Sequence, residues 1–191
     1  LSIRSYKNIQ PKIGNNVYID ESAVVIGDVA IGDDVSIWPH CVVRGDVESI
    51  FIGAGSNIQD GSILHVSHAG DFSPFGHPLK IGESVTIGHR AVIHGCSVGN
   101  FCLIGIGAII MDDVIVEDYV MLGAGALAPP GKRLESGFLY IGSPIKQSRA
   151  LSETEKAFLE YSAKHYRHLK DQYLLNGLSH IPVGDEARIK S

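Results

Sequence analysis

The stretch Ile81–Gly95, IGESVTIGHRAVIHG, reads as two six-residue units and the start of a third. Each unit opens with isoleucine, at Ile81, Ile87 and Ile93, and the first two continue with Gly82 and Gly88. Small apolar residues follow four places after the openers, at Val85 and Ala91. The third unit puts His94 where the others have glycine, and His89 directly follows Gly88. Two imidazoles thus stand at defined places on a regular scaffold.

The same step runs outward in both directions. Openers fall at Ile13, Ile19, Val25, Ile31, Ile37 and Val43, then at Ile52, Ile58 and Leu64. Beyond the central stretch they continue at Val98, Ile104, Ile110, Val116, Leu122 and Ala128. At sixteen of the openers, from Val17 to Ala126, the position four later is small or β-branched, including Val47 after Val43 and Ser97 after Ile93. A fixed short period is the mark of a solenoid. Each unit is a short strand and a sharp corner, with the opener pointing inward. Gly, Asn and Asp between them tolerate corner backbone angles. Three such sides make a triangular coil, and the openers divide into six coils. The pattern resembles the left-handed parallel β-helix of hexapeptide-repeat proteins; the handedness comes from that resemblance alone.

Two interruptions stand out: Val47–Phe51, and a longer excursion at His65–Lys80 rich in Gly, Pro and Ser. Residues 1–150 are expected to hold the solenoid with its loop and exit segment. A helix is expected over 152–176, opened by the Ser152/Glu155 capping box and closed near Gly177. Its apolar stripe is predicted from Phe158, Tyr161, Leu169 and Tyr173, with His165 and His168 on the polar face. It should pack alongside the solenoid, followed by a frayed tail over 178–191.

The net charge of -5, without a Lys/Arg run, argues against a nucleic-acid surface. No apolar run approaches the ~20 residues that span a bilayer, and the first residues show no secretory h-region. Cys41, Cys96 and Cys102 form no CxxC pair, which fits a reducing cytoplasm better than a disulfide framework.

Register places the polar residues. On one side the residues after the openers are Ile26, Arg44, His65, His94, Met111 and Pro129. His65 and His94 therefore stack on adjacent coils, about 4.8 Å apart, provided the excursion leaves and rejoins at one corner. On another side Asp60, two after Ile58, stacks with His89, two after Ile87. Two stacked outward histidines can share a metal ion, and zinc takes imidazole nitrogens readily. His89 lies on a different side, about 16 Å of extended chain from His94, so a neighbouring copy would have to supply it. A closed ring of three copies would build three equivalent sites.

The motifs Arg44-Gly45-Asp46, Asn57-Ile58-Gln59-Asp60-Gly61, His65, Gly88-His89 and His94-Gly95 resemble the gamma-class carbonic anhydrase family in order and spacing. The resemblance extends through WPHCVVRGD, LESGFLYIGSP and the closing helix to the small bacterial members of that family. It implies a homotrimer with zinc, or iron or cobalt, at each interface. His65 and His94 would come from one subunit and His89 from the next, and metal-activated hydroxide would convert carbon dioxide to bicarbonate. It further implies that Gln59 orients the hydroxide, that Arg44 and Asp46 form an ion pair near the interface, and that Tyr140 lines the pocket. Asp60 is a second candidate for the interface pairing. Asn57 either binds bicarbonate or holds a corner. The chain departs from the prototype at Val47, where a glutamate is expected, and at Gly142, where an asparagine is. His68 stands in place of the prototype's proton-shuttling glutamate; it is either the shuttle or a plain loop residue. Relatives with these replacements often hydrate carbon dioxide weakly. The competing readings are a hexapeptide acyltransferase with one histidine as general base, a metal-dependent thioester hydrolase, and a non-enzymatic binding or assembly protein.

Overall fold

The computed structural model describes residues 2–71 and 73–177. The openers stack in three parallel ranks. The first carries Ile3, Val25, Val43, Leu64, Ile93, Ile110 and Ala128. The second carries Ile13, Ile31, Ile52, Ile81, Val98, Val116 and Leu134. The third carries Ile19, Ile37, Ile58, Ile87, Ile104, Leu122 and Tyr140. Two long strands, Val24–Ile31 and Val42–Ile52, run round a corner and join the first two ranks into one twelve-stranded sheet. Inside, the openers from Ile19 to Tyr140 are buried and form one continuous apolar core. Burying one such side chain contributes about 1.5–3 kcal/mol.

The solenoid has about eight turns rather than the six expected. Ile3 adds a strand below Val25. At the other end the step continues past Ala128 to Leu134 and Tyr140. The pattern fades there because Lys132 and Phe138 occupy the small-residue positions, although the Pro129-Pro130-Gly131 corner still receives its rung hydrogen bond, Gly131 N donating to Asp112 O (3.0 Å). Two small-residue positions also move. Val47 is exposed and Ile50 takes the inward place, because the strand bulges between Gly45 and Ile50. Ser97 is exposed and Cys96 is buried, because the step from Ile93 to Val98 is one residue short. Stacking also fixes the glycine after the second-rank openers from Ile13 to Val98. A Cβ on Gly53 would lie 2.5 Å from the Gly82 carbonyl.

The excursion leaves after Val66 and returns at Leu79, both buried, without disturbing the ladder on either side. It closes on itself through antiparallel bridges Ser67–His77 and Gly70–Ser73.

The helix spans Glu153–Leu175, and both halves of the Ser152/Glu155 capping box are formed. It lies along the third rank. Its buried face is Leu159, Ser162, Ala163 and Lys170, with Tyr166 and Tyr173 packed edge-on against Trp38. The expected stripe is therefore corrected: Phe158 and Tyr161 face outward, Leu169 is half-buried, and only Tyr173 of the four contributes as predicted. The reason is bulk. The solenoid presents Tyr18 and Trp38 outward, so the helix approaches with small residues and slots its rings between theirs. Lys170, fully buried, donates to Asn16 O, Asp34 Oδ1 and Asp171 Oδ1 at 2.9, 3.1 and 2.6 Å. His165 and His168 are exposed, His165 stacked on Tyr161. The expected tail, 178–191, lies outside the described residues.

The Arg149 guanidinium and the cap hold the Glu155 carboxyl down, to about 2 against an ordinary 4.5. A depressed carboxyl adds stability above its ordinary value and loses it as pH falls through the folded value. Glu155→Gln, which keeps an acceptor for the cap, should therefore remove part of the stability that the parent loses between about pH 4.5 and 2. Thermal melts across that window, followed by helix circular dichroism, check this.

Candidate metal centre

His65 and His94 end the adjacent strands Ile63–His65 and Val92–His94 and are direct register partners. Because each opener points inward, the residue after it points out. The two rings lie 5.0 Å apart between centroids, and His65 Nδ1 is 3.0 Å from His94 Nε2. An ion with bonds of about 2.0–2.1 Å in tetrahedral geometry takes two nitrogens about 3.3 Å apart. The pair thus fits such an ion with a few tenths of an ångström of opening.

Both rings are held by carboxylates. The bulged strand Val42–Ile52 turns Asp46 toward His65, with Oδ1 3.0 Å from Nε2, while Oδ2 accepts from Arg44. Partial burial pushes the Asp46 carboxyl up, but the hydrogen bonds from His65 and Arg44 outweigh it and hold it below the ordinary value. On the other ring, His94 Nδ1 lies 2.5 Å from Asp112 Oδ1, and Ser67 Oγ donates to Asp112 Oδ2 (2.7 Å). Burial again raises the Asp112 carboxyl, and the His94 and Ser67 hydrogen bonds again carry it below the ordinary value. Sequence reasoning missed Asp112. The legible signal was Gly95: Asp112 lies one rung beyond it, and a Cβ there would lie 2.3 Å from Asp112 Oδ1.

His89 stands on a different corner. It lies over Asp60 as register required, Nδ1 to Oδ2 2.9 Å, with both side chains roughly half exposed. Ile106 follows on the next rung, 57% exposed. Among the described residues of one chain, no three or more His, Cys, Asp or Glu side chains gather to hold a metal ion.

Gln59 and Asn57 flank Ile58 on the face beneath the helix and are buried. Gln59 Nε2 donates to Asn57 Oδ1 (3.1 Å), Asn57 Nδ2 donates to Thr86 Oγ1 (3.0 Å), and Thr86 Oγ1 meets Ser162 Oγ of the helix at 3.0 Å. The helix therefore braces the residue next to Asp60. His68 is exposed at the start of the excursion. The structure does not bring Tyr140 to this group. As a third-rank opener it points into the core three rungs past Ile87. Its hydroxyl accepts from Glu135 N (2.8 Å) and donates to Gln147 Oε1 (3.2 Å). Burial pushes the cysteine thiols up, Cys41 to about 11 and Cys102 to about 12, so none of the three is poised as a nucleophile.

A family model described as bacterial transferase hexapeptide (six repeats) matches residues 10–45 and 95–127. Protein YrdA of Escherichia coli K12 is 57% identical over 175 residues, covering 92% of this chain and 95% of that protein. Mitochondrial gamma carbonic anhydrase 1 of Arabidopsis thaliana is 45% identical over 159 residues, 83% of this chain and 58% of that protein. The chain belongs to the gamma carbonic anhydrase-like family of hexapeptide-repeat proteins. Among solved structures, a hexapeptide transferase family protein from Anaplasma phagocytophilum superposes with a TM-score of 0.83 at 38% identity, over 90% of this chain and 97% of that one. The gamma carbonic anhydrase-like family thus shares its scaffold with proteins described as transferases.

Proposed function

We propose that this protein is a metal-dependent gamma carbonic anhydrase-like enzyme that reversibly hydrates carbon dioxide, as a homotrimer with zinc or another divalent ion at each subunit interface. One observation carries the reading: two imidazole nitrogens meet on adjacent rungs at 3.0 Å, while a third histidine, equally braced by a carboxylate, stands on another corner. His65 and His94 of one copy and His89 of the next would hold the ion. When bound, such an ion lowers the pKa of a coordinated water toward about 7.

The chain's own residues do the rest. Asp112 and Asp46 hold the two rings in place. Gln59, next to Asp60 and locked through Asn57 and Thr86 to the helix, would orient the attacking oxygen. His68, exposed at the start of the excursion, carries the released proton to solvent. Asn57 acts by fixing Gln59. Tyr140 closes the end of the solenoid and takes no catalytic part.

The surface supports the assembly. The outward row of the first rank is apolar from Val24 onward: Val24, Val42, Ile63, Val92, Ile109 and Leu127, with Ile63 and Ile109 exposed. It runs beside His65, His94 and the exposed Met111. A contiguous apolar patch of this kind marks an interaction face, and a face that meets a corner heterologously closes as a ring. The free, buried thiols favour the cytoplasm. No helix among the described residues is long and apolar enough to cross a membrane. A hexapeptide acyltransferase would need no ion, so metal content separates that alternative; hydration tested beside a thioester panel separates hydrolysis.

Protein purified without chelators should carry one divalent ion per chain. His89→Ala should lose it with the solenoid intact, and mixing His89→Ala with His65→Ala chains should restore some sites; full occupancy in His89→Ala alone, by elemental analysis, would refute the assignment. Ile63→Lys with Ile109→Lys should yield monomers that hold no ion, and sedimentation of this variant as an intact trimer would remove that face from the interface.

A further inference from the structure

The base of the excursion meets the site through the Asp112 carboxylate. Asp112 bridges Ser67, at the base of the excursion, and His94, at the end of its strand. Three further observations show that the contact is built. Gly95 leaves the space that Asp112 occupies. Ser67 is pinned to His77 by paired backbone hydrogen bonds of 3.2 and 2.9 Å, and Ser73 Oγ lies 3.0 Å from His77 Nε2. The His77 side chain packs over Gly95, where an added Cβ would lie 2.7 Å from its Cβ.

An ionised carboxylate only accepts hydrogen bonds. Facing Asp112, His94 Nδ1 must therefore carry its proton, which leaves the Nε2 lone pair directed at the His65 ring. We infer that Asp112, clamped by Ser67, is the positioning residue for His94, and that this clamp sets how tightly the site holds a divalent cation. This rests on the metal reading above. Ser67 acts only through Asp112: its hydroxyl occupies the second carboxylate oxygen and fixes the plane of the carboxylate.

The test uses the full-length assembled protein and zinc alone as probe, with affinity read by competition against a chromophoric chelator. Asp112→Asn should weaken zinc binding about 10–100-fold, the range for removing an outer partner of a ligand histidine. Ser67→Ala should weaken it less, and the double variant should be no weaker than Asp112→Asn, since one acts through the other. In metal-free protein, imidazole ¹⁵N spectra should show His94 protonated at Nδ1 in the parent and Ser67→Ala, and a mixed tautomer in Asp112→Ala. Equal zinc affinity in the parent and Asp112→Asn would overturn the inference, and so would additive losses in the double variant. If the parent binds no zinc, the metal reading fails, and the tautomer spectra alone then decide the role of Asp112: an unchanged His94 in Asp112→Ala rejects it. If Asp112→Ala fails to fold, the Ser67→Ala affinity decides, and no loss there rejects the clamp.

Discussion

Everything in this molecule depends on the inward aliphatic side chain that begins each short strand. In a parallel ladder, a slip of one residue turns every side chain to the opposite face. A buried isoleucine column therefore fixes register far more strongly than backbone hydrogen bonds alone. The excursion at residues 67–77 shows how strong that constraint is. It separates Leu64 from the coil above by a long detour, yet Leu64 still pairs with Ile93 and His65 with His94. Val66 and Leu79, both fully buried, fasten the detour at its two ends. Polar residues placed one step past an opener inherit this rigidity without having to be buried themselves.

That arrangement explains why each of the three histidines has its own acid. A neighbouring rung is the nearest available place for a partner, and the rung spacing of about 4.8 Å suits an imidazole–carboxylate contact. Asp60 meets His89 from the rung before it, and Asp112 meets His94 from the rung after. Asp46 reaches His65 only because its strand bulges, so the residues Val47–Phe51 are part of how the group is built rather than a neutral surface insertion. Charge-assisted contacts of this type are stronger than neutral ones. They fix ring orientation on side chains that would otherwise rotate freely.

Most of this was legible in the amino-acid order, and the failures share one cause. Vertical stacking follows from counting, so the pairing of His65 with His94 and of Asp60 with His89 could be placed without a structure. Lateral features do not follow from counting. The step from Ile93 to Val98 is a residue short, which exchanged Ser97 for Cys96 beneath the corner. The end coils were missed because Lys132 and Phe138 break the small-residue rule while Leu134 and Tyr140 keep the opener rule. The helix stripe was misplaced because helical periodicity cannot anticipate a partner surface that already carries Tyr18 and Trp38. Asp112 escaped because counting stacks Met111 on His94, whereas Asp112 stacks on Gly95 and reaches His94 sideways from the next rung. Tyr140 matches a pocket residue by position along the chain, and its place as an opener turns the ring inward.

A triangular prism also explains why the histidines stand on different corners. Side chains one step past a first-rank opener and those at the corner after the third rank stand at different places on the prism, and among the described residues no three metal-ligating side chains gather. On the reading proposed here, an ion is then bound by the assembled state and by no isolated subunit. A ligand that binds one state alone stabilises that state in proportion to RT ln(1 + [L]/Kd). Metal loading and subunit association become one equilibrium: the apolar first-rank row supplies the contact area, and the ion supplies the register between copies. The carboxylates then serve the assembly as much as the chemistry, because a ring already held at the correct angle loses less freedom when the next subunit arrives.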